Sequence, residues 1–349
     1  MSGSINLYIG PTKAGKTTEL KRQYNRLRIK YDKICSINGR KIAQNHFNSS
    51  TLENILEEIL DYDIIIIDNI HLIKDCLQII PILADKFNKT IFCAGLDNNE
   101  SRTPYLNVVN LIPKCEYVHK MTAYCAIAND TTPAIFSKEV NGEYVPVARE
   151  NGFLHVITGP MFSGKTTEIL RQIEQLQSIG KSILTVNYSK DNRYCRNANI
   201  TSHNNETIKT KIAVDDLEDI VQPSLLSIYD VIIVDEVQFI KNAYKTILQL
   251  VNDFGKTVIV SGLDGDFLQK PFGDVCSLIA QADKLTRLSA VCKLSKSLKD
   301  ACFSKRLSKE TATELIGADD CYMAVSREIY NLPDEQFANL IQMEHVLSK

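Results

Sequence analysis

The stretch "ITGPMFSGKTTEIL", residues 157–170, decides the fold class of this chain. Residues 159–166 fit the pattern GxxxxGK(S/T), between an apolar run and a helical pattern, which is the context that a phosphate-binding loop (P-loop) needs. Its glycines let backbone N–H groups turn toward phosphate oxygens, and the start of the next helix adds a favourable dipole. Lys165 is expected to reach the terminal phosphates and Thr166 to offer its hydroxyl to Mg²⁺. A chance match in a glycine-containing turn is the alternative.

The same motif stands upstream as "YIGPTKAGKTTEL", residues 8–20, and four further matches follow in the same order. "YDIIIIDNIHLI" (62–73) matches "YDVIIVDEVQFI" (229–240), "KTIFCAGLDNN" matches "KTVIVSGLDGD", "IFSKE" matches "CFSKR", and "YVPVARE" (144–150) matches "YMAVSRE" (322–328). The offset grows from 149 to 167 and then to 178, so the first copy lacks 18 residues between its first two motifs and 11 near its end. The chain is therefore read as a tandem duplication, with domains at 1–150 and 151–330 and a tail at 331–349.

Composition narrows the class of protein. The 349 residues carry a formal net charge of −2, from 40 basic and 42 acidic residues, and no arginine-rich stripe that would indicate nucleic-acid binding. The longest apolar runs have the length of strands, so no membrane association is expected. The ten cysteines show no CxxC spacing, which is typical of reduced thiols in a cytoplasmic protein.

Each half alternates continuous Ile/Val-rich runs with helical patterns, such as "FLHVIT", "SILTVNY", "DVIIVD" and "TVIVSG" in the second half. Continuous apolar strands between helices predict an α/β fold with a parallel sheet covered by helices on both faces. The pattern becomes irregular near the end of each half, which predicts a small appended subdomain.

Two carboxylates end the apolar run "VIIVDE". Asp235 can hold Mg²⁺ directly or through water, and a second acidic residue such as Glu236 commonly activates a nucleophile. Two carboxylates merely exposed at a strand tip are the alternative, which is weak beside a P-loop. The spacing leaves the nucleophile open, because water would make the protein an ATPase and a substrate hydroxyl would make it a kinase.

Seven motifs in register give the second half a family likeness: "GPMFSGKTTEI", "KDNRY", "DEVQF", "GLDGDFLQKPFG", "LSAVC", "FSKRL" and "IGADDCYMAV". Over residues 153–330 the chain resembles the type II thymidine kinases, the cellular and poxvirus kind. The resemblance implies ATP-dependent phosphorylation of the 5′-hydroxyl of thymidine, in salvage of DNA precursors. It also implies a P-loop sheet with a lasso-shaped subdomain that grips thymine.

The resemblance assigns roles to residues of this sequence. Glu236 would be the base that takes the proton from the 5′-hydroxyl, and Thr166 and Asp235 would hold Mg²⁺. Phe267 would stack on the base, although an aromatic in "LDGDF" taken alone is more often a core residue. The ATP-binding set is Gly159, Pro160, Met161, Phe162, Ser163, Gly164, Lys165, Thr166, Asp191, Arg193, Asp235 and Gln238. The thymidine-binding set is Met161, Leu263, Phe267, Thr313, Glu314, Leu315, Ile316, Gly317 and Tyr322.

One departure from the family concerns zinc, which usually pins the lasso on two CxxC pairs. Cys292 is present, but Ser295, Ser326 and Ile329 stand at the other matching positions, and none of these three can replace a thiolate on Zn²⁺. A site improvised from Cys292, Cys302 and Cys321 is the alternative to buried apolar cysteines, which we favour. We expect no zinc, and a lasso held by packing or by the other half.

The first copy keeps the phosphate loop and loses the chemistry. Its candidate nucleotide site consists of Gly10, Gly15, Lys16, Thr17 and Asp68. Asn69 stands where Glu236 stands, and an amide cannot accept the proton. His71 and Leu72 replace the Gln and Phe of "DEVQF", and Glu100 replaces Phe267. The deletions remove "IGADD" and the counterpart of Asp191 and Arg193, which match the Asp-x-Arg phosphate segment of the family. These losses predict a pseudokinase.

The resemblance also implies tetramers of single domains, so a dimer of tandem chains is expected. Two other functions stay open: a catalytically inactive nucleotide-binding or interaction protein of the same fold, and a general P-loop ATPase.

Overall fold

The computed structural model describes residues 3–128, 131–190, 199–201, 207–209, 212–295, 299–307 and 321–347. The chain divides into two compact units. The first consists of Met1–Glu150 with Ile279–Asp283, and the second of Asn151–Leu278 with Lys284–Lys349. None of the helices in these described ranges is both long and apolar enough to cross a membrane.

A six-stranded sheet forms the centre of the first unit, in the order β3-β2-β4-β5-β1-β6, and every neighbouring pair is parallel. All four isoleucines of β4 are buried, as expected for a strand covered on both faces. The strands are β1 Ser4–Ile9, β2 Ile34–Ile37, β3 Asn45–Phe47, β4 Ile64–Ile67, β5 Thr90–Gly95, β6 Tyr117–Lys120, β7 Ala123–Tyr124, β8 Pro133–Ala134, β9 Phe136–Val140 and β10 Glu143–Val147. The helices are α1 Lys16–Leu27, α2 Leu56–Ile59, α3 Cys76–Asp85 and α4 Leu106–Val109, with 3₁₀ turns at Glu53–Ile55, Ile70–Leu72 and Ile112–Lys114.

The second unit repeats this sheet in the order β15-β12-β16-β17-β11-β18, again with parallel pairs throughout. Its strands are β11 Phe153–Thr158, β12 Ile183–Tyr188, β13 Asn199–Thr201, β14 Thr207–Lys209, β15 Ile212–Val214, β16 Val231–Val234, β17 Thr257–Gly262, β18 Lys284–Arg287, β19 Ala290–Val291, β20 Asp300–Ala301, β21 Phe303–Arg306 and β22 Tyr322–Val325. Its helices are α5 Lys165–Ser178, α6 Pro223–Leu226, α7 Ala243–Asn252, α8 Val275–Gln281, α9 Arg327–Tyr330 and α10 Asp334–Leu347, with 3₁₀ turns at Leu217–Ile220 and Val237–Phe239. The α/β prediction, with a parallel sheet repeated twice, is confirmed.

The topology brings the sequence motifs to one edge of each sheet. In the second unit the P-loop follows β11 and Asp235 follows β16, and β17 lies between these two strands. In the first unit the P-loop follows β1 and Asp68 follows β4, with β5 between them. Carboxyl ends of parallel strands share one edge, which is where open α/β sheets bind their ligands.

A separate apolar cluster holds the hairpin strands of the second unit. It is built from buried residues of β19–β22 and of the segment after them: Ala290, Cys292, Ala301, Cys302, Phe303, Ala324, Val325, Ile329 and Phe337. Leu340 and Ile341 of α10 pack against this cluster. The last helix is therefore part of the fold of the second unit.

Candidate active site

Both P-loops have a first glycine that no other residue can replace. Gly10 has φ 144° and Gly159 has φ 147°, in the range that side-chain-bearing residues rarely adopt. A Cβ on Gly10 would lie 2.1 Å from the carbonyl oxygen of Met121, and one on Gly159 would lie 2.4 Å from that of Leu288. The close backbone approach that makes a phosphate cradle is therefore present twice.

The loops also place their lysines alike. Gly15 and Gly164 adopt left-handed conformations, with φ 82° and 83°, directly before α1 and α5. The Lys16 ammonium donates to the carbonyls of Gly10 (3.0 Å) and Pro11 (2.5 Å). Lys165 donates to the equivalent Gly159 (3.2 Å) and Pro160 (2.9 Å). Each lysine is thus held over its own loop by two carbonyl oxygens. When a phosphate binds, the ammonium could replace these hydrogen bonds with bonds to phosphate oxygens.

The remaining P-loop residues of the second unit fit a bound phosphate. Phe162 takes a left-handed φ of 63°, which helps to curl the loop. The Ser163 hydroxyl oxygen is buried and lacks a hydrogen-bond partner among the described residues. A polar atom of this kind needs a partner, and a phosphate oxygen would supply one.

Glu236 lies at the end of β16 in a strained and well-defined position. Its φ of 53° is left-handed, which is unusual for a glutamate, and its side chain is 8% exposed. Gln238 Nε2 donates to Glu236 Oε2 at 2.6 Å, and Gln238 Oε1 in turn accepts from the backbone N–H of Leu263 at 3.2 Å. Backbone strain that persists with such support is typical of functional sites.

Asp235, the residue before Glu236, is 5% exposed, and its Oδ1 accepts the backbone N–H of Glu236 at 3.0 Å. In the first unit the equivalent Asp68 accepts a hydrogen bond from the Thr17 hydroxyl at 2.7 Å. The first unit therefore brings together the hydroxyl and the carboxylate that are equivalent to Thr166 and Asp235, the predicted Mg²⁺ ligands of the second unit. Both are oxygen donors, which Mg²⁺ prefers.

The first unit keeps the local backbone conformation at the position equivalent to Glu236. Asn69 has the same φ, 53°, as Glu236. His71 occupies the place of Gln238, and its Nδ1 accepts the N–H of Leu96 at 3.3 Å. Burial, and then the charge of Lys16, lower the pKa of His71 to about 4, so the ring is neutral near pH 7 and carries its proton on Nε2. The first unit therefore keeps the backbone conformation at this strand end but lacks the carboxylate.

A cavity of about 430 Å³ opens at the first P-loop. Residues 12–18 line it, together with Asp68, Asn69, His71 and one residue that the motifs did not indicate, Arg40. Burial lowers the pKa of Lys16 to about 8, as expected for a cation that is partly removed from water. Lys16 and Arg40 make this cavity suited to an anion.

The residues predicted to bind thymidine lie on several elements. Leu263 follows β17, Phe267 lies in the loop beyond it, and Tyr322 begins β22 and is 7% exposed. The backbone N–H of Met161, in the P-loop, donates to the Ser304 hydroxyl of β21 at 3.0 Å. Other predicted site residues lie outside the described residues, namely Asp191, Arg193, Thr313, Glu314, Leu315, Ile316 and Gly317.

Sequence reasoning missed two contacts that occur in both units. The Thr12 N–H donates to the Ser137 hydroxyl at 2.8 Å, which repeats the contact between Met161 and Ser304. The shared "FSK" motif was the signal that could have revealed it. The second contact is a buried ion pair, Asp264 with Arg287 at 2.8 Å in the second unit and Asp97 with Lys120 at 2.7 Å in the first.

Three of the four positions at which the resemblance would place zinc ligands, Cys292, Ser326 and Ile329, are buried. Cys292 is fully buried, Ile329 belongs to the same apolar cluster, and Ser326 immediately precedes α9 as its N-cap residue. Within the described residues, no group of three or more His, Cys, Asp or Glu side chains could hold a metal ion. The absence of zinc stays a prediction.

The sequence model of the thymidine kinase family matches residues 3–148 and again residues 152–330. The chain belongs to the thymidine kinase family. It is therefore a phosphotransferase by family, and the resemblance seen in the motifs is confirmed.

Individual members of the family are similar at moderate identity. Thymidine kinase of myxoma virus (strain Uriarra) is 40% identical over 186 residues, which cover 53% of this chain and 99% of the viral protein. Thymidine kinase a of Arabidopsis thaliana is 40% identical over 197 residues, 55% of this chain and 81% of the plant protein. Thymidine kinase 1 of Dictyostelium discoideum is 40% identical over 183 residues, 52% of this chain and 78% of that protein. Each relative thus matches about half of the tandem chain.

Proposed function

We propose that the second unit transfers the γ-phosphate of ATP to the 5′-hydroxyl of thymidine, and that the first unit binds phosphate without transferring it. The observation that carries the proposal is the contrast at one position. Equivalent strand ends carry Glu236 in one unit and Asn69 in the other, both with φ 53°. The names of the relatives supply the substrate.

The Glu236 carboxylate would take the proton of the 5′-hydroxyl. The freed oxygen would then bond to the γ-phosphorus as the bond from phosphorus to the bridging oxygen breaks, and ADP would leave with that electron pair. Gln238 holds Glu236 in place, so little reorganisation is needed. Lys165 would offset the charge on the transferring group. When Mg²⁺ is bound by Thr166 and Asp235, it would neutralise phosphate charge.

A transfer assay with labelled ATP and three acceptors (thymidine, deoxycytidine and water) tests this function. We expect label in thymidine monophosphate, with far less in deoxycytidine monophosphate and little free phosphate. Free phosphate as the main product would indicate an ATPase. Label that stays in ATP would indicate an inactive nucleotide-binding protein.

For the first unit, the supporting observation is the cavity lined by Lys16, Thr17, Asp68 and Arg40. Arg40 supplies a cation near the phosphates, although this unit lacks the Asp-x-Arg segment. The position of Phe267 is taken by Glu100, so we infer that any nucleotide here is held through its phosphates rather than its base.

We expect the purified protein to depend on Mg²⁺ and to contain no stoichiometric zinc, because packing replaces the metal. The Lys305 ammonium donates to the carbonyls of Tyr330 (2.8 Å) and Leu332 (3.2 Å) and lies 4.3 Å from the Phe337 ring centroid. Phe337→Ala is expected to cost about 3 kcal/mol or more in unfolding free energy, whereas EDTA leaves the melting temperature unchanged.

Met343→Ala is the matched control, since Met343 lies on the same helix and is 62% exposed. One zinc per chain by elemental analysis, or a melting temperature that falls with EDTA, would refute the packing account.

We further propose a cytoplasmic protein, in accord with the nine described cysteines, which are reduced thiols. We also propose that it assembles as a dimer of tandem chains, which would mimic the tetramer of single domains that the resemblance implies. Light scattering is expected to give twice the 39.3 kDa of one chain. A strict monomer across the working concentration range would rule the dimer out.

A further inference from the structure

The ring of Phe267 is in contact with the arginine of the "FSKRL" motif, a residue to which the sequence analysis assigned no role. The guanidinium carbon of Arg306 lies 3.8 Å from the ring centroid of Phe267 and 5.0 Å from that of Tyr322. Arg306 also donates a hydrogen bond to the Tyr322 hydroxyl, and it is only 9% exposed. One buried cation thus joins the two aromatic residues that are proposed to bind the nucleobase.

The backbone reinforces this arrangement. Arg306 ends β21 and pairs directly with Tyr322, the first residue of β22, in an antiparallel register. The Tyr330 hydroxyl donates to the carbonyl oxygen of Phe267 at 2.9 Å. Phe267 is therefore held twice, at its backbone by Tyr330 and at its ring by Arg306.

The first unit provides an internal comparison. Its β9–β10 hairpin pairs Glu139 with Tyr144 in the same register as Arg306 with Tyr322. Glu100 stands at the position of Phe267. The charge of Glu100, and to a lesser extent burial and Glu139, raise the pKa of Tyr144. Both the aromatic ring and the arginine have been replaced by carboxylates, while the tyrosine remains.

If Phe267 and Arg306 act together, a unit that does not need one of them should have lost both, as the first unit has. A guanidinium is planar, so it can stack flat on one ring while its N–H groups donate to a neighbouring hydroxyl, whereas an ammonium has no plane to stack. The attraction between a cation and an aromatic face grows when the cation is removed from water, as it is here. In the first unit, which we infer does not hold a base, neither side chain is present.

We propose that Arg306 is a positioning residue for nucleobase binding. It fixes the rings of Phe267 and Tyr322 relative to each other, so that a planar pyrimidine meets a ready-made stacking surface. Arg306 acts through these two rings and not on the reacting phosphate. The inference rests on the proposed thymidine kinase function, and it identifies Arg306 as a residue that shapes the thymidine site.

Steady-state kinetics of Arg306→Met and Arg306→Lys test the proposal. Disorder of the rings is expected to raise the KM for thymidine about tenfold in Arg306→Met, with the KM for ATP within about twofold. Arg306→Lys should also raise the KM for thymidine, since charge alone does not restore the stack. Arg171→Met is the matched control, because Arg171 is an exposed arginine paired only on the surface of α5 with Glu168.

A double-mutant cycle of Arg306→Met with Tyr322→Phe tests whether Arg306 acts by positioning Tyr322 or only by filling space. If Arg306 acts through Tyr322, the double variant should raise the KM for thymidine less than the product of the two single effects. Equilibrium dialysis with labelled thymidine, without ATP, gives the same comparison independently of turnover.

Three results would overturn the inference: an unchanged thymidine KM in both Arg306 variants, an equal rise in the two KM values, or independent effects in the cycle. If the wild-type chain neither binds nor phosphorylates thymidine, both this inference and the proposed function fail. If the wild type works and Arg306→Met keeps its thymidine affinity, only this inference fails.

Discussion

Replacing Glu236 by glutamine is expected to lower the rate of thymidine phosphorylation by a factor of about a hundred to ten thousand, which is the usual contribution of a general base. Glutamine keeps the size of the side chain, and its amide oxygen can still accept the hydrogen bond that Gln238 now donates at 2.6 Å. The substitution therefore removes the proton acceptor with little change of geometry. ATP affinity, measured by equilibrium binding, should stay within a few-fold of wild type.

Glu236→Asn is a second variant for the same test, because it introduces the residue that the first unit carries in the same backbone conformation. Both positions have φ 53°, and asparagine adopts this region more readily than glutamate does. Turnover should be lost while the melting temperature is unchanged or higher. Asn69→Gln in the first unit is the matched control and should leave turnover unchanged. Substantial turnover in Glu236→Gln would remove the role assigned to Glu236.

The architecture was predictable because the deciding residues are local in the sequence. Runs such as "VIIV" and "IIII" are apolar at every position, and the structure buries all four residues in each case. Because these runs alternate with helical patterns, they predict a parallel sheet. The P-loop pattern then indicates that the site lies at the edge formed by the carboxyl ends of the strands. The duplication was visible because its motifs keep their order.

The contacts that refine the site were not predictable, because they depend on register and on loops. Arg306 meets Phe267 only through the β21–β22 hairpin, and no spacing in the sequence reports that pairing. Arg40 lies beside the 18-residue deletion, so comparison of the two copies offered no counterpart for it. The role of α10 was missed for a similar reason, since the tail has no equivalent in the first copy.

Lys165→Ala is expected to lower the turnover of thymidine by about a hundredfold or more, because it removes a cation from the reacting phosphates. Lys16→Ala should leave turnover within a few-fold of wild type, because the first unit carries Asn69 where the proposed base Glu236 stands. The two lysines make equivalent contacts to their own loops, so each variant is the structural control for the other. Lys16→Ala should still remove one of two ATP sites per chain in equilibrium dialysis.

The central claim is that one unit transfers phosphate and the other only holds it. Its most direct test is to assay Lys16→Ala and Lys165→Ala side by side at saturating thymidine and ATP. The account predicts near-normal turnover for Lys16→Ala and a rate close to background for Lys165→Ala. An equal loss in both variants would show that the first P-loop takes part in catalysis, and it would contradict the assignment of the first unit as a pseudokinase.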